Sequence, residues 1–430
     1  MDITVSPANL VDGVVKLPGD KSISHRYGML GSIAHGVTTV HGYSKGADCQ
    51  STLDCMEALG AKVERLEDRV IIHGGMLRAP QKPLDVGNSG STIRMLSGIL
   101  AAQPFNSRIA GDESIARRPM DRVIKPLREM GATIEGTPIT GRSGSFPPLS
   151  IEGRKLHGID YTLPVPSAQV KSCVLLAGLF ADGSTTVREP VRTRDHTEIA
   201  LREFGADITS ASGVITLAQG AQLNGRELMV PGDLSASAFF LVAALLAPQA
   251  DLTIRGVGLN PTRTALLDFL VGMGASIKIL EIQQSGGELI GDLRVRASNV
   301  KGGVIEGALT AGLIDEIPAL AILGAASEQG LVVRDASELR VKETDRIATI
   351  ESNLRRMGVE IESYPDGFRL PGKQTFRAAE IDPAGDHRIA MAFAVAALSA
   401  REPSVIRDAE CAGVSFPEFF ATLGAVARSV

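Results

Sequence analysis

Met56-Glu57-Ala58-Leu59-Gly60-Ala61-Lys62-Val63-Glu64 is the stretch on which the division of the chain turns. An apolar helix end runs into glycine, which takes the left-handed conformation that caps a helix. The β-favouring alternation after it starts a strand. The same pattern returns as LREMGATIE at Gly131, LREFGADIT at Gly205, LVGMGASIK at Gly274, LRRMGVEIE at Gly358 and FATLGAVAR at Gly424. Each instance reads as helix, cap, strand.

Roughly 40 residues before each of these glycines, a loop rich in Gly, Pro, Ser or Asp opens an apolar helix, as helix-start chemistry requires. The openings are PGDKSIS, GNSGST, PVPSAQ, PGDLSAS, LIDEIPA and PAGDHR. The first and fourth, at Pro18 and Pro231, are near copies, so the chain reads as a duplicated half of three units. A period of about 70 residues exceeds the 20–50 of solenoid repeats. Two α/β domains of three βαβ-type units follow, with a first domain over residues 20–230 and a second made of 1–19 plus 231–430. The opening segment ITVSP then needs a sheet to join.

The 430 residues are 44% hydrophobic and 22% charged, enough for more than one sizeable core. A formal net charge of −5 argues against a nucleic-acid or membrane-surface binder and sends any anion-binding role to local clusters. Cys49, Cys55, Cys173 and Cys411 form no metal-ligand spacing and read as reduced, mostly buried thiols. The start Met1-Asp2-Ile3-Thr4 lacks the pattern of an export signal. The most apolar runs, Ala236–Ala247 and Ile389–Ala400, are about half of the roughly 20 residues a membrane span needs. A cytoplasmic protein is the expectation.

If six helices open at comparable points, their N-termini can converge, and unpaired backbone N–H groups with the helix dipole favour anions there. The side chains at the openings agree: Lys21, Ser22 and Arg26 at the first, Asn88–Thr92 at the second, Ser167, Gln169 and Lys171 at the third, Arg388 at the last. Lys supplies a point charge, Arg a two-pronged donor for carboxylate or phosphate, Ser and Gln orienting hydrogen bonds. No GxxxxGK[ST] loop occurs, which removes support for ATP-driven phosphoryl transfer. A second polar layer comprises ARRPMDR around Arg118, RTRDHTE around Arg194, NPTRT around Arg263 and RVKETDR. In the last, Lys342, Glu343 and Arg346 read as a helix start aimed at one ligand, with Glu343 able to move a proton. Asp315 and Glu316 precede an apolar helix and serve either as N-terminal caps or, for Asp315, as a base.

As an ordered set, GDKSISHR, GNSGSTIR, RRPM, PSAQVK, RDHTE, NPTR, LIDEIP with RVKETDR, and GDHRIAM resemble the 5-enolpyruvylshikimate-3-phosphate synthase family. GDKS, SAQVK, RDHTE and NPTR are similar to its glyphosate-insensitive class II. The resemblance implies two inside-out α/β domains with a cleft between them, and transfer of the enolpyruvyl group of phosphoenolpyruvate to the 5-hydroxyl of shikimate 3-phosphate with release of phosphate. It implies no metal and no organic cofactor, no nucleic-acid or membrane partner, and a monomer. It assigns Lys21, Ser22, Arg26, Ser167, Gln169, Arg194, Asp315 and Lys342 to shikimate 3-phosphate, and Lys21, Gly90, Arg118, Gln169, Arg346 and Arg388 to phosphoenolpyruvate. Asp315 matches the proton acceptor, with Glu343 and Lys21 as the other proton-transfer groups. Three positions depart from family patterns. Val414 stands where many members carry a lysine, Ala168 where some have a second serine, and Gly90 lacks the methyl group of some class II members. The related UDP-N-acetylglucosamine enolpyruvyl transferase carries a reactive cysteine before its Arg-Pro motif, where GDESIARRPM has none. The repeats alone would also suit a non-catalytic anion-binding protein.

Overall fold

The computed structural model describes residues 1–429. The chain divides into two compact units: one contains Gly19–Val230 with Ser285–Glu288, the other Met1–Pro18, Pro231–Gln284 and the residues from Leu289 onward. Each has its own apolar core, and the two cores share no residue.

The six loop-to-helix openings are helix starts. In the first unit the helices are Lys21–Ile33, Gly90–Ala101 and Ala168–Gly178. In the second they are Leu234–Leu246, Ile317–Ala326 and His387–Leu398. Asp20, Ser89, Ser167, Asp233 and Asp386 each accept a backbone N–H of the following turn, which satisfies a donor the helix leaves open. The His387 helix buries all its residues and the Leu234 helix all but Leu246, as befits helices apolar on every side. The sheets lie outside them, and the strand Ser276–Ser285 is largely exposed.

Each core helix leads into a strand that pairs in parallel. Leu84–Asp85 pairs with Asn106–Ala110, Asp160–Thr162 with Thr185–Arg188, Gly303–Ile305 with Leu331–Val333, and Glu380–Ile381 with Ser404–Ile406. In these four units the strand precedes the helix, giving a βαβ crossover. The other two units exchange strands. Leu10–Lys16, which precedes the Lys21 helix, pairs with Gln249–Gly258 in the second unit. Glu227–Met229, which precedes the Leu234 helix, pairs with Gly36–His41 in the first. The opening segment finds its sheet as Ile3–Val5 against Ser404–Ile406.

Gly60, Gly131, Gly205, Gly274 and Gly358 all have φ between +77° and +103° and end helices as expected. Gly424 does not. It lies inside the helix Phe419–Val426, where Leu423 and Phe419 are buried against the core and carry the helix past it.

Candidate active site

In the first unit, Lys21 is the first helical residue, and its Nζ lies 2.9 Å from Asp48 Oδ2. One turn on, Arg26 is 4% exposed. Its Nε donates to Thr197 Oγ1 (2.6 Å), Nη1 to the Ser22 carbonyl (2.7 Å) and Nη2 to Ser172 Oγ (2.7 Å). Burial, only partly offset by the Glu198 and Asp20 carboxylates, pulls the Arg26 guanidinium down to about 10. Arg194 Nη1 reaches Ser22 Oγ at 3.5 Å. Lys21, Ser22, Arg26 and Arg194 therefore form one group around the first turn of the Lys21 helix.

A second group surrounds the start of the Gly90 helix. Arg118, 7% exposed, donates to Asn88 Oδ1 (3.3 Å) and Ser114 Oγ (3.0 Å). A methyl group at Gly90 would stand 2.9 Å from Arg118 Nη1 and 3.0 Å from Arg94 Nη1, so both guanidiniums crowd that helix end. Gln169 joins them: its Oε1 accepts from Arg94 (2.8 Å) and its Nε2 donates to Ser91 Oγ (3.0 Å). Sequence reasoning missed Arg94. Its spacing, one turn after Gly90 on the same helix face, was the available signal. Ser167 caps the third helix through Val170 N at 3.4 Å.

Lys171 is a correction. The sequence groups it with the anion-binding side chains, but it is completely buried, with Nζ 3.0 Å from Glu189 Oε2 and 2.7 Å from Glu198 Oε1. On an apolar helix, position 171 points inward while 169 points out. Burial, which the Lys171 ammonium only partly offsets, holds the Glu198 carboxyl above its usual range.

The second unit holds a denser cluster. Arg346, 1% exposed, donates through Nε and Nη2 to Asp386 (2.7 and 3.3 Å) and through Nη2 to Glu343 Oε2 (2.6 Å). Its Nη1 makes no hydrogen bond and lies 3.5 Å from Asp315 Oδ1. Burial opposes the charge, but the Asp386, Glu343 and Asp315 carboxylates outweigh it and hold the guanidinium above its ordinary pKa. Lys342 Nζ lies 3.3 Å from the same Asp315 oxygen, and Arg388 Nη1 donates to the Asp315 carbonyl at 2.9 Å. Asp386 also caps the His387 helix through Arg388 N at 2.9 Å. Only Arg346 of the RVKETDR run starts a helix, Arg346–Arg356 with Asp345 as cap. Lys342 and Glu343 sit in the non-helical link after Ser337–Val341. Asp315 is not a cap: Glu316 holds the cap position of the Ile317 helix without a capping bond, and its carboxylate instead takes the Ser235 hydroxyl.

Val414 ends the 3₁₀ turn Ala409–Val414 and offers no charge. Burial pushes the Cys55 and Cys411 thiols up to about 12, and Cys49 and Cys173 higher still. Among the described residues no group of three His, Cys, Asp or Glu side chains could hold a metal ion, and no helix is long and apolar enough to cross a membrane.

This sequence and architecture have counterparts among known proteins. The sequence model of the family described as EPSP synthase (3-phosphoshikimate 1-carboxyvinyltransferase) matches residues 5–423. A 3-phosphoshikimate 1-carboxyvinyltransferase of Solibacter usitatus is 62% identical over 431 residues, covering 100% of both chains. One of Bacillus subtilis is 47% identical over 420 residues, covering 97% of each. The solved EPSP synthase of Acinetobacter baumannii superposes with a TM-score of 0.87 at 42% identity, covering 100% of this chain and 98% of its own. With whole-length agreement in motifs, sequence and fold, this chain belongs to the EPSP synthase family.

Proposed function

We propose that the chain transfers the enolpyruvyl group of phosphoenolpyruvate to the 5-hydroxyl of shikimate 3-phosphate, releasing phosphate. The observation that carries this reading is the connected cluster of Asp315, Lys342, Glu343, Arg346, Asp386 and Arg388, which puts proton-transfer carboxylates and anion-binding cations in one network. Passive anion binding needs the cations only.

Asp315 takes the proton of the attacking hydroxyl, whose oxygen bonds to C2 of phosphoenolpyruvate while C3 gains a proton from Glu343 or Lys21. Loss of a C3 proton then re-forms the double bond as the C2–O bond to phosphate breaks. Arg118, Arg346 and Arg388, with Gln169, Lys21 and the backbone at Gly90, hold the carboxylate and phosphate of the donor. Arg346 is suited to this because Nη1 is the nitrogen its carboxylate partners leave without a hydrogen bond. Ser22, Arg26, Ser167, Gln169, Arg194, Lys21 and Lys342 hold the acceptor. These are positioning and electrostatic roles. The reading includes a monomer working in the cytoplasm, with domains over 20–230 and 1–19 plus 231–430.

Phosphate release from phosphoenolpyruvate, measured with shikimate 3-phosphate and separately with UDP-N-acetylglucosamine, tests the reading. Turnover is expected with the first acceptor alone. Asp315→Asn should lower kcat by about 10²–10⁴, the usual span for a positioned acid or base; near wild-type turnover would remove Asp315 from the mechanism. Light scattering on the purified chain checks the monomer.

A further inference from the structure

Among the described residues, Lys171 is the buried lysine on a core helix, and the proposed reaction does not use it. Glu189 and Glu198, which it joins at 3.0 and 2.7 Å, stand at the two ends of a single span. Glu189 Oε2 also accepts from Thr193 N (3.1 Å) and Thr193 Oγ1 (2.7 Å). At the other end Thr197 Oγ1 accepts from Arg26 and lies 2.6 Å from Ser172 Oγ, on the same helix as Lys171. The ammonium thus links the two ends of the 189–198 span through two ion pairs. Arg194 follows the fastened Thr193, and Arg26 is tied to Thr197. Lys171 pairs with both carboxylates, Glu189 and Glu198, while Arg26 bonds hydroxyls and a carbonyl.

We propose that Lys171 is a positioning residue for the acceptor: by clasping Glu189 and Glu198 it sets the 189–198 span so that Arg194 and Arg26 present their guanidiniums to the anionic groups of shikimate 3-phosphate. This rests on the assignment of Arg194 and Arg26 to the acceptor given above. An apolar residue at 171 would occupy the space but leave Glu189 and Glu198 facing each other without their cation, which releases the span. The clasp therefore acts on substrate affinity beyond its effect on folding, and it acts on one substrate.

The test is a double-mutant cycle of Lys171→Met and Arg194→Ala. The dissociation constant of shikimate 3-phosphate is read by calorimetry, alongside kcat, the KM for phosphoenolpyruvate and the melting temperature. Lys171→Met should weaken shikimate 3-phosphate about tenfold, the scale of one charge-assisted hydrogen bond, with kcat and the donor KM within about twofold of wild type. In the Arg194→Ala background it should cost much less, because the clasp acts partly through Arg194. Fully additive losses, or equal losses for both substrates, overturn the proposal. Adding Glu198→Gln to Lys171→Met removes one of the two stranded carboxylates and should recover part of the melting temperature without recovering affinity; affinity returning together with stability reduces Lys171 to a folding residue. If Lys171→Met does not fold, Glu189→Gln takes its place, with about a threefold loss expected and an unchanged dissociation constant as the refutation. Arg194→Ala alone separates the two layers: if it leaves shikimate 3-phosphate binding intact, the acceptor assignment fails, whatever Lys171 does.

Discussion

Arg26 and Arg346 are both buried arginines, one in each unit, yet their charges are held in opposite ways. Arg26 meets two hydroxyls and a carbonyl, and burial pulls its pKa down to about 10. Arg346 is ringed by Asp386, Glu343 and Asp315, which raise its pKa against the same burial. A buried cation with neutral partners is costly until an anion arrives, whereas one ringed by carboxylates is satisfied beforehand. On the proposed assignments the two arginines divide the labour: Arg26 has only neutral hydrogen-bond partners to exchange for an anion, whereas Arg346 is fixed through Nε and Nη2 by Asp386 and Glu343 and offers Nη1.

The largest effect should come from breaking the satisfied arginine. Arg346→Met leaves three carboxylates facing one another and should cost about 3–5 kcal/mol of stability, as when one partner of a buried pair is removed, with turnover lost. Denaturant unfolding read beside kcat checks both, and a loss under about 1 kcal/mol would show that the carboxylates find other partners.

Arg26→Met should do the reverse to the ligand-free chain. Its unfolding free energy should not fall and should rise by up to about 3 kcal/mol, the order of the depressed guanidinium pKa and of apolar replacements of buried ions. The Ser172 and Thr197 hydroxyls still bond each other. Shikimate 3-phosphate at about 100 times its dissociation constant stabilises a chain that binds it by about 2.7 kcal/mol; at that same concentration the variant should gain far less. A ligand-free variant markedly less stable than wild type would dissolve the contrast with Arg346. The sign in pH follows from linkage. A base with a depressed folded pKa opposes stability fully below that pKa, and the opposition fades as pH rises from about 10 towards the ordinary arginine value, because the folded state releases its proton first. The stability gap between wild type and Arg26→Met should therefore narrow above about pH 10.

The smallest effect is expected at Gly90. Its backbone φ is not positive, so Gly90→Ala should leave stability unchanged or raise it by up to about 1 kcal/mol on helix propensity. The added methyl meets the flexible ends of Arg118 and Arg94 at 2.9 and 3.0 Å. A rise of about threefold to tenfold in the phosphoenolpyruvate KM should follow, about the size of one weakened hydrogen bond. An unchanged KM would place the donor away from this helix end.

Local chemistry was the legible part of the sequence. The helix starts at Asp20, Ser89, Ser167, Asp233 and Asp386, and the caps at Gly60 through Gly358, follow from the residues at those positions alone. Gly424 misled because burial of its helix overrode a local stop signal. Lys171 misled because charge alone does not reveal on which side of an apolar helix a residue falls. Two partners of Arg346, Asp315 and Asp386, come from distant segments, and the exchange of strands Leu10–Lys16 and Glu227–Met229 is a non-local pairing. Periodicity within a segment reports neither.

That exchange bears on how the chain is made. Among the described residues, the strands within 3–16 pair with partners beyond residue 248, so this stretch leaves the ribosome long before the strands it joins. The unit over Gly19–Val230 receives its strand Glu227–Met229 before Gln249–Gly258 is translated, and among the described residues the four-residue turn Ser285–Glu288 is added later. Its sheets can assemble while residues 3–16 still wait for strands not yet translated.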